Sequence, residues 1–245
     1  MTPELAITNN ASLYCSIFRA HGLPSRMDEH YWSTDAEPPP YYSRMVTRTR
    51  GPRAREAQLS RLEELAVHVR GRQWGFKDSF DELPEDALAG LGLRVLFRAW
   101  WYGSRGDCVT SELETDLVVQ RVTSAEALLS WEDGWRQASP VGPTRVFPDS
   151  ALEDSSLELF TMSLAERVAG GFILNRSDAA VGLSNVFRLD NAQIQTGTFL
   201  RECARQARCL HADRAVVGYG PLSDVDALVS LGFIPLGPLA VWASP

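Results

Sequence analysis

Apolar and polar positions along the chain follow two periods, and each period marks a different kind of element. Leu59, Leu62, Leu65, Ala66 and Val69 recur at helical spacing with charges between them, which predicts a helix over 56–69. Leu13, Tyr14, Ile17 and Phe18 form a shorter stripe, with Asn10 read as its cap and His21-Gly22 as its end. Leu128, Trp131 and Trp135 mark a third helix, opened by the capping box Thr123-Ser124-Ala125-Glu126. A fourth spans 198–208, with Leu200, Cys203, Ala204 and Ala207 inward and Arg201, Arg205 and Arg208 outward. The last starts at Gly220-Pro221, carries Asp224 and Asp226 in its first turns, and has Leu222, Val225, Leu228 and Val229 as its stripe.

Alternation marks the strands. Residues 93–102 put Val95, Phe97, Ala99 and Trp101 on one face and Leu96, Arg98, Trp100 and Tyr102 on the other. Further strands are expected at 30–33, 42–47, 116–122, 157–162 and 214–219, and two short ones near Phe233 and at 239–242. Residues 167–174 and 179–187 read as a hairpin across Asn175-Arg176-Ser177-Asp178. Residues 71–86 are polar and loop-like, and Ser139-Pro140-Val141-Gly142-Pro143 is the best linker. No internal repeat stands out. The mixture predicts an α+β fold built on a mixed, mostly antiparallel sheet flanked by helices.

Composition narrows the classes. A chain of 245 residues, 44% hydrophobic and 22% charged, can bury a large core. Its net charge of −7 weighs against a nucleic-acid partner. Lys77 is the only lysine, a usage read as genomic GC content rather than function. Cys15, Cys108, Cys203 and Cys209 lack metal-ligand spacing, which argues against zinc and for free thiols. No apolar run matches a membrane span and no leader opens the chain, so a cytoplasmic protein is expected.

The order of elements from residue 157 on, closing in Leu231-Gly232-Phe233, resembles the second half of a GNAT-superfamily acyltransferase domain. The ending Gly232-Phe233-Ile234-Pro235-Leu236-Gly237-Pro238-Leu239-Ala240-Val241-Trp242 and the strand Val181-Gly182-Leu183-Ser184-Asn185-Val186-Phe187 are similar to a diverged bacterial GNAT-like subgroup. In that subgroup the upstream half is a second GNAT-like unit, and Trp32 with Pro38-Pro39-Pro40-Tyr41-Tyr42 matches its opening. The resemblance implies two tandem units, 1–138 and 144–245.

It also implies a site for acetyl-CoA or another acyl-CoA, with no metal. The family holds the cofactor pyrophosphate on backbone N–H groups at a helix N-terminus. The matching stretch here is Gln193-Ile194-Gln195-Thr196-Gly197-Thr198-Phe199, which has one glycine and no Gln or Arg at the family's offset. Thr196, Gly197 and Thr198, with Phe187, are the implied cofactor contacts. Where the family often has a tyrosine general acid this chain has Leu228, and where it often has Asn it has Pro221. Tyr219 is the nearest hydroxyl that could replace the acid, and Glu158 and Asp224 are the candidate bases. Ser184 and Asn185 would flank the acyl carbonyl through their strand backbone. Arg98 and Trp100 suit a pocket that stacks a ring or holds a carboxylate.

The leading expectation is an N-acyltransferase acting on a small-molecule amine. Two others stand beside it. One is a repurposed or non-catalytic biosynthetic protein that does not use acyl-CoA. The other is an aminoacyl-tRNA-dependent transferase, for which Arg201, Arg205 and Arg208 could form a basic stripe.

Overall fold

The chain, seen in a computed structural model, is described over residues 1–105, 116–138, 145–190 and 194–245. The expected linker at 139–143 lies outside these residues. Among them, eleven strands form one sheet. In chain order they are β1 (Arg26–Met27), β2 (Tyr31–Ser33), β3 (Met45–Thr47), β4 (Gly75–Asp78), β5 (Arg94–Ser104), β6 (Leu117–Arg121), β7 (Leu157–Leu164), β8 (Arg167–Arg176), β9 (Ala180–Arg188), β10 (Ala215–Gly220) and β11 (Ile234–Ala243). The helices are α1 (Pro3–Ala20), α2 (Pro52–His68), α3 (Glu85–Gly90), α4 (Ala125–Ala138), α5 (Thr196–Leu210) and α6 (Val225–Ser230). The mixed, mostly antiparallel sheet with flanking helices is the architecture the pattern predicts.

The strand order is β1-β2-β3-β4-β11-β5-β10-β9-β8-β7-β6. Four strands lie outside β11 on one side and five outside β5 on the other. A parallel pair, β3 with β4, faces a second parallel pair, β10 with β9. Between them, β11 pairs with β4 and β5 pairs with β10, so a late strand sits among the early ones and an early strand among the late ones. The two central strands pair antiparallel with each other from Ile234↔Gly103 to Ala243↔Arg94.

A matching detail lies before each crossing strand. Ala87-Leu88-Ala89-Gly90-Leu91-Gly92-Leu93 and Ala227-Leu228-Val229-Ser230-Leu231-Gly232-Phe233 close α3 and α6 the same way. Gly92 and Gly232 take φ of +75° and +79°, left-handed values that a side chain would strain. The N–H groups of Leu93 and Phe233 return to the carbonyls of Leu88 and Leu228 at 3.1 and 3.0 Å. This is an internal repeat that the strand-and-helix reading passes over.

Several expectations change. α1 starts at Pro3, which supplies the fixed φ of a first helical position, so Asn10 lies mid-helix and caps nothing. Asn9 and Asn10 tolerate the helix interior because their side chains bond other elements. Ser124, not Thr123, caps α4, its hydroxyl accepting from the Ala127 N–H at 3.2 Å. Residues 71–86 contain β4, whose Phe76, Lys77 and Asp78 are all buried, so its pattern does not alternate. The final strand is one element with an irregularity between Pro235 and Gly237, not two. Leu222 and Val229 are exposed and form no stripe. β6 pairs with β7, and α4 packs on β8 and β9. Cys15 and Cys203 are free thiols, whereas Cys209 is disulfide-bonded and departs from the expectation.

α1 covers one face of the sheet at β5, β8, β9 and β10, and α5 covers the other at β9 and β10. Strand alternation then sorts the side chains. Trp101 and Val217 pack with Ala6 and Ile7 of α1, while Tyr102 and Val216 pack with Phe199 and Cys203 of α5. No helix among the described residues is long and apolar enough to cross a membrane.

Candidate functional site

β9 and β10 run side by side only from Ala180↔Ala215 to Gly182↔Val217. Beyond that point β9 continues to Arg188 and β10 to Gly220 without pairing. The separation begins where β9 carries a bulge, between its pairings to Gly171 and Ile173. Asn185 lies in that bulge with a left-handed φ of +49°, a conformation Asn tolerates better than most residues. The two strands therefore open as a V, and a cavity of about 550 Å³ fills it.

The cavity passes through the sheet. On the α5 side its wall includes Tyr102, Thr196, Phe199, Asp224, Leu228 and Phe233. On the α1 side it includes Asn10, Tyr14, Tyr42, Lys77, Asn185 and Tyr219. The space beside the other parallel pair, β3 with β4, is filled. There the Asp78 carboxylate accepts backbone N–H groups of Phe80, Glu82 and Leu83 at 3.2, 2.9 and 2.9 Å. A hollow of only about 10 Å³ remains beside it.

The candidates from sequence divide accordingly. Tyr219, Asp224, Ser184, Asn185 and Thr196 all line the cavity. Gly197 and Thr198 follow Thr196 in the first turn of α5, which has no side-chain cap. Open space surrounds Gly197. Phe187 instead packs into the core, its ring centroid 5.1 Å from that of Trp131. Glu158 lies away from the cavity and is held by His211 at 2.7 Å and Arg121 at 3.3 Å. Arg98 is bound by Asp81 at 2.9 Å and Glu85 at 2.6 Å, and neither it nor Trp100 lines the cavity. Of the outward arginines of α5, Arg205 pairs with Glu202, and Arg208 turns inward to Ser104 and the Leu231 carbonyl. Gln193 lies outside the described residues. Leu228 and Pro221 do stand on the cavity wall, so the family's tyrosine and asparagine positions are apolar here.

The α1 side holds residues that sequence reading missed. Lys77 is 2% exposed, and its ammonium donates to Asn10 Oδ1 at 3.0 Å. It sits 4.2 Å from the Tyr219 ring centroid, 5.3 Å from that of Tyr14 and 5.8 Å from that of Trp101. Burial lowers its pKa, against a smaller opposing pull from Tyr14. Burial also raises the Tyr219 hydroxyl, although the ring keeps 40% of its surface, which opens into the cavity. Tyr42 is raised well above its ordinary value, chiefly by burial and then by Tyr14 and Tyr219, with an opposing hydrogen bond from Asn185. Both Tyr219 and Tyr42 thus present protonated hydroxyls at neutral pH. The signals available were the sole lysine and the pair Tyr41-Tyr42. On the other side Arg188, at the end of β9, also reaches the wall. Among the described residues, no group of three His, Cys, Asp or Glu side chains could hold a metal.

A sheet that opens between two parallel strands, with a bulge in one and a helix N-terminus below it, can be set against known structures. A GCN5-related N-acetyltransferase from Kribbella flavida superposes with a TM-score of 0.69 at 14% identity, over 98% of this chain and 95% of that one. The fold is GNAT-like. A functionally unknown conserved protein from Staphylococcus epidermidis matches at a TM-score of 0.63 and 14% identity, over 93% and 96% of the two chains. A tandem GNAT protein from the clavulanic acid biosynthesis pathway matches at 0.52 and 11% identity, over 82% and 74%. No protein-family model and no curated protein matches the chain. At these identities the GNAT-like likeness carries the fold alone.

Proposed function

We propose that the protein is an N-acyltransferase that moves an acyl group from acyl-CoA to a small-molecule amine, in the V between β9 and β10. The single observation that carries this is the open V with its bulged strand, which leaves β9 backbone groups free to polarise a carbonyl. Acyl-CoA, when bound, supplies an activated acyl carbonyl. The chain's own groups fit it on the α5 side. The first turn of α5 has unsatisfied N–H groups and no acidic residue, and Thr196 and Arg188 stand on the same wall, a donor set suited to pyrophosphate.

The amine would then approach from the α1 side. Asp224, on the α5 side beside Tyr102, is the carboxylate among the cavity-lining residues and would take the amine's proton through water that crosses the V. Tyr219, protonated and facing the V, would donate a hydrogen bond to the reacting group. Calorimetry with acetyl-CoA tests the reading: a binding heat is expected at millimolar cofactor, and none would overturn it. Replacing Tyr219 by Phe should then lower kcat by about 100-fold, the usual worth of a positioned proton donor.

We also assign the tandem organisation to a division between β5 and β6, because β6 and α4 join the second half's strands. One observation favours a second reading, a protein that holds a small molecule without acyl-CoA. The stretch before Phe199 lacks the family's second glycine, and the wall beside it is apolar through Phe199, Leu228 and Phe233.

A further inference from the structure

Lys77 is an isolated buried cation at a cavity wall. Its ammonium is ringed by Tyr14, Trp101 and Tyr219, bonded to the neutral Asn10 and drawn also to the Tyr14 hydroxyl. No Asp or Glu contributes to its electrostatics among the described residues. Asp78, its neighbour in sequence, points to the opposite side of β4, as alternation requires, and is spent on backbone N–H groups. A buried ammonium without a counter-charge is costly, and aromatic faces offset only part of that cost. The missing element is one negative charge, and the cavity is where it can enter.

We infer that the α1 side of the cavity binds a small molecule through a carboxylate that pairs with Lys77. A monoanion fits better than a phosphate. Lys77 is a single charge, no arginine fork stands beside it, and the surrounding aromatic rings leave a dianion poorly solvated. The side matters too. Lys77 bonds Asn10 of α1, across the sheet from the first turn of α5 that would hold the acyl donor. The carboxylate therefore belongs to the acceptor, which makes the acceptor an amino acid or a related amino-carboxylate. This last step rests on the acyltransferase reading; the carboxylate site itself does not.

The composition gives a clean test. Because Lys77 is the only lysine, lysine-specific isotope labelling yields one side-chain NMR signal in the whole chain. That signal is titrated with propanoate and with its neutral isostere propanamide at matched ionic strength. Propanoate is expected to shift the signal and raise its titration midpoint, because an anion favours the ammonium. It should also slow modification of Lys77 by an amine reagent about threefold at twice its Kd, by mass action. Propanamide should do neither, and K77M should bind propanoate no better than propanamide by calorimetry. An equal response to the two probes, or none to propanoate, overturns the carboxylate assignment. Failure of acetyl-CoA to bind while the propanoate response persists overturns the acyltransferase reading alone.

Discussion

Lys77 is a buried cation on the cavity wall, carried by a four-residue strand. Its folded pKa is lowered from the ordinary 10.5, so between the two values the unfolded chain binds the proton more tightly. Stability therefore rises with pH through that window, and the penalty is absent above about 10.5 and grows as pH falls. Wild type compared with K77M isolates the effect from other titrations. At neutral pH K77M should melt at or above the wild-type temperature, and the gap should narrow as pH rises toward the lysine value. A K77M protein that is less stable than wild type at neutral pH would show that the ammonium is already compensated. Lys77 was legible only as a count of one. Its burial was not, because Phe76, Lys77 and Asp78 are all enclosed and a strand without alternation looks like a polar loop. Glu158 shows the reverse: a carboxylate on an expected strand invites a catalytic role, and the fold sets it against Arg121 and His211.

Among elements, the docking of α1 onto the β8–β9 hairpin depends on close contact. Asn9 Nδ2 donates to the Asn175 carbonyl at 3.0 Å, and Asn175 Nδ2 donates to Asn9 Oδ1 at 2.9 Å. Gly182 lies beneath this exchange, and a Cβ there would stand 2.1 Å from Asn9 Oδ1 and 2.3 Å from Asn175 Oδ1. Gly182→Ala should cost about 2 kcal/mol or more in urea denaturation, from overpacking and a broken buried hydrogen bond. α4 is anchored differently. The fully buried Glu132 binds Arg145 and Arg136 at 3.2 and 3.3 Å, and accepts the N–H groups of Val146 and Phe147. Glu132→Ala leaves those groups unpaired and should cost about 3 kcal/mol, read as a lower denaturation midpoint with an unchanged slope. The α4 helix itself was plain from Leu128, Trp131 and Trp135, since a wide apolar stripe survives any context. Glu132 was not, because a buried acid interrupts no helical pattern.

For the whole molecule, the sheet's central pair decides what can stand alone. β11 lies between β4 and β5, and β5 lies between β11 and β10, so the strands up to residue 104 and those from 117 on each need a strand of the other group to complete the sheet. Fragments 1–104 and 117–245 should each lack cooperative unfolding by circular dichroism, and mixing them should restore one transition. Independent transitions in the separate fragments would contradict the interlock. The sequence announced the second half, through Leu231-Gly232-Phe233 and its strand order, more clearly than the first. The twin Ala-Leu-x-x-Leu-Gly segments were also there to be read, at 87–92 and 227–232. Short strands β1 to β4 leave few positions for a period to register, so that signal is strongest at the caps.

The place of β11 also sets a schedule during synthesis. Among the described residues every other strand precedes β11 in the chain, so β4 and β5 emerge with a gap between them and their facing edges unpaired. Open edges of this kind recruit strands from neighbouring chains. Closure of the sheet between β4 and β5 must wait for Ile234–Ala243.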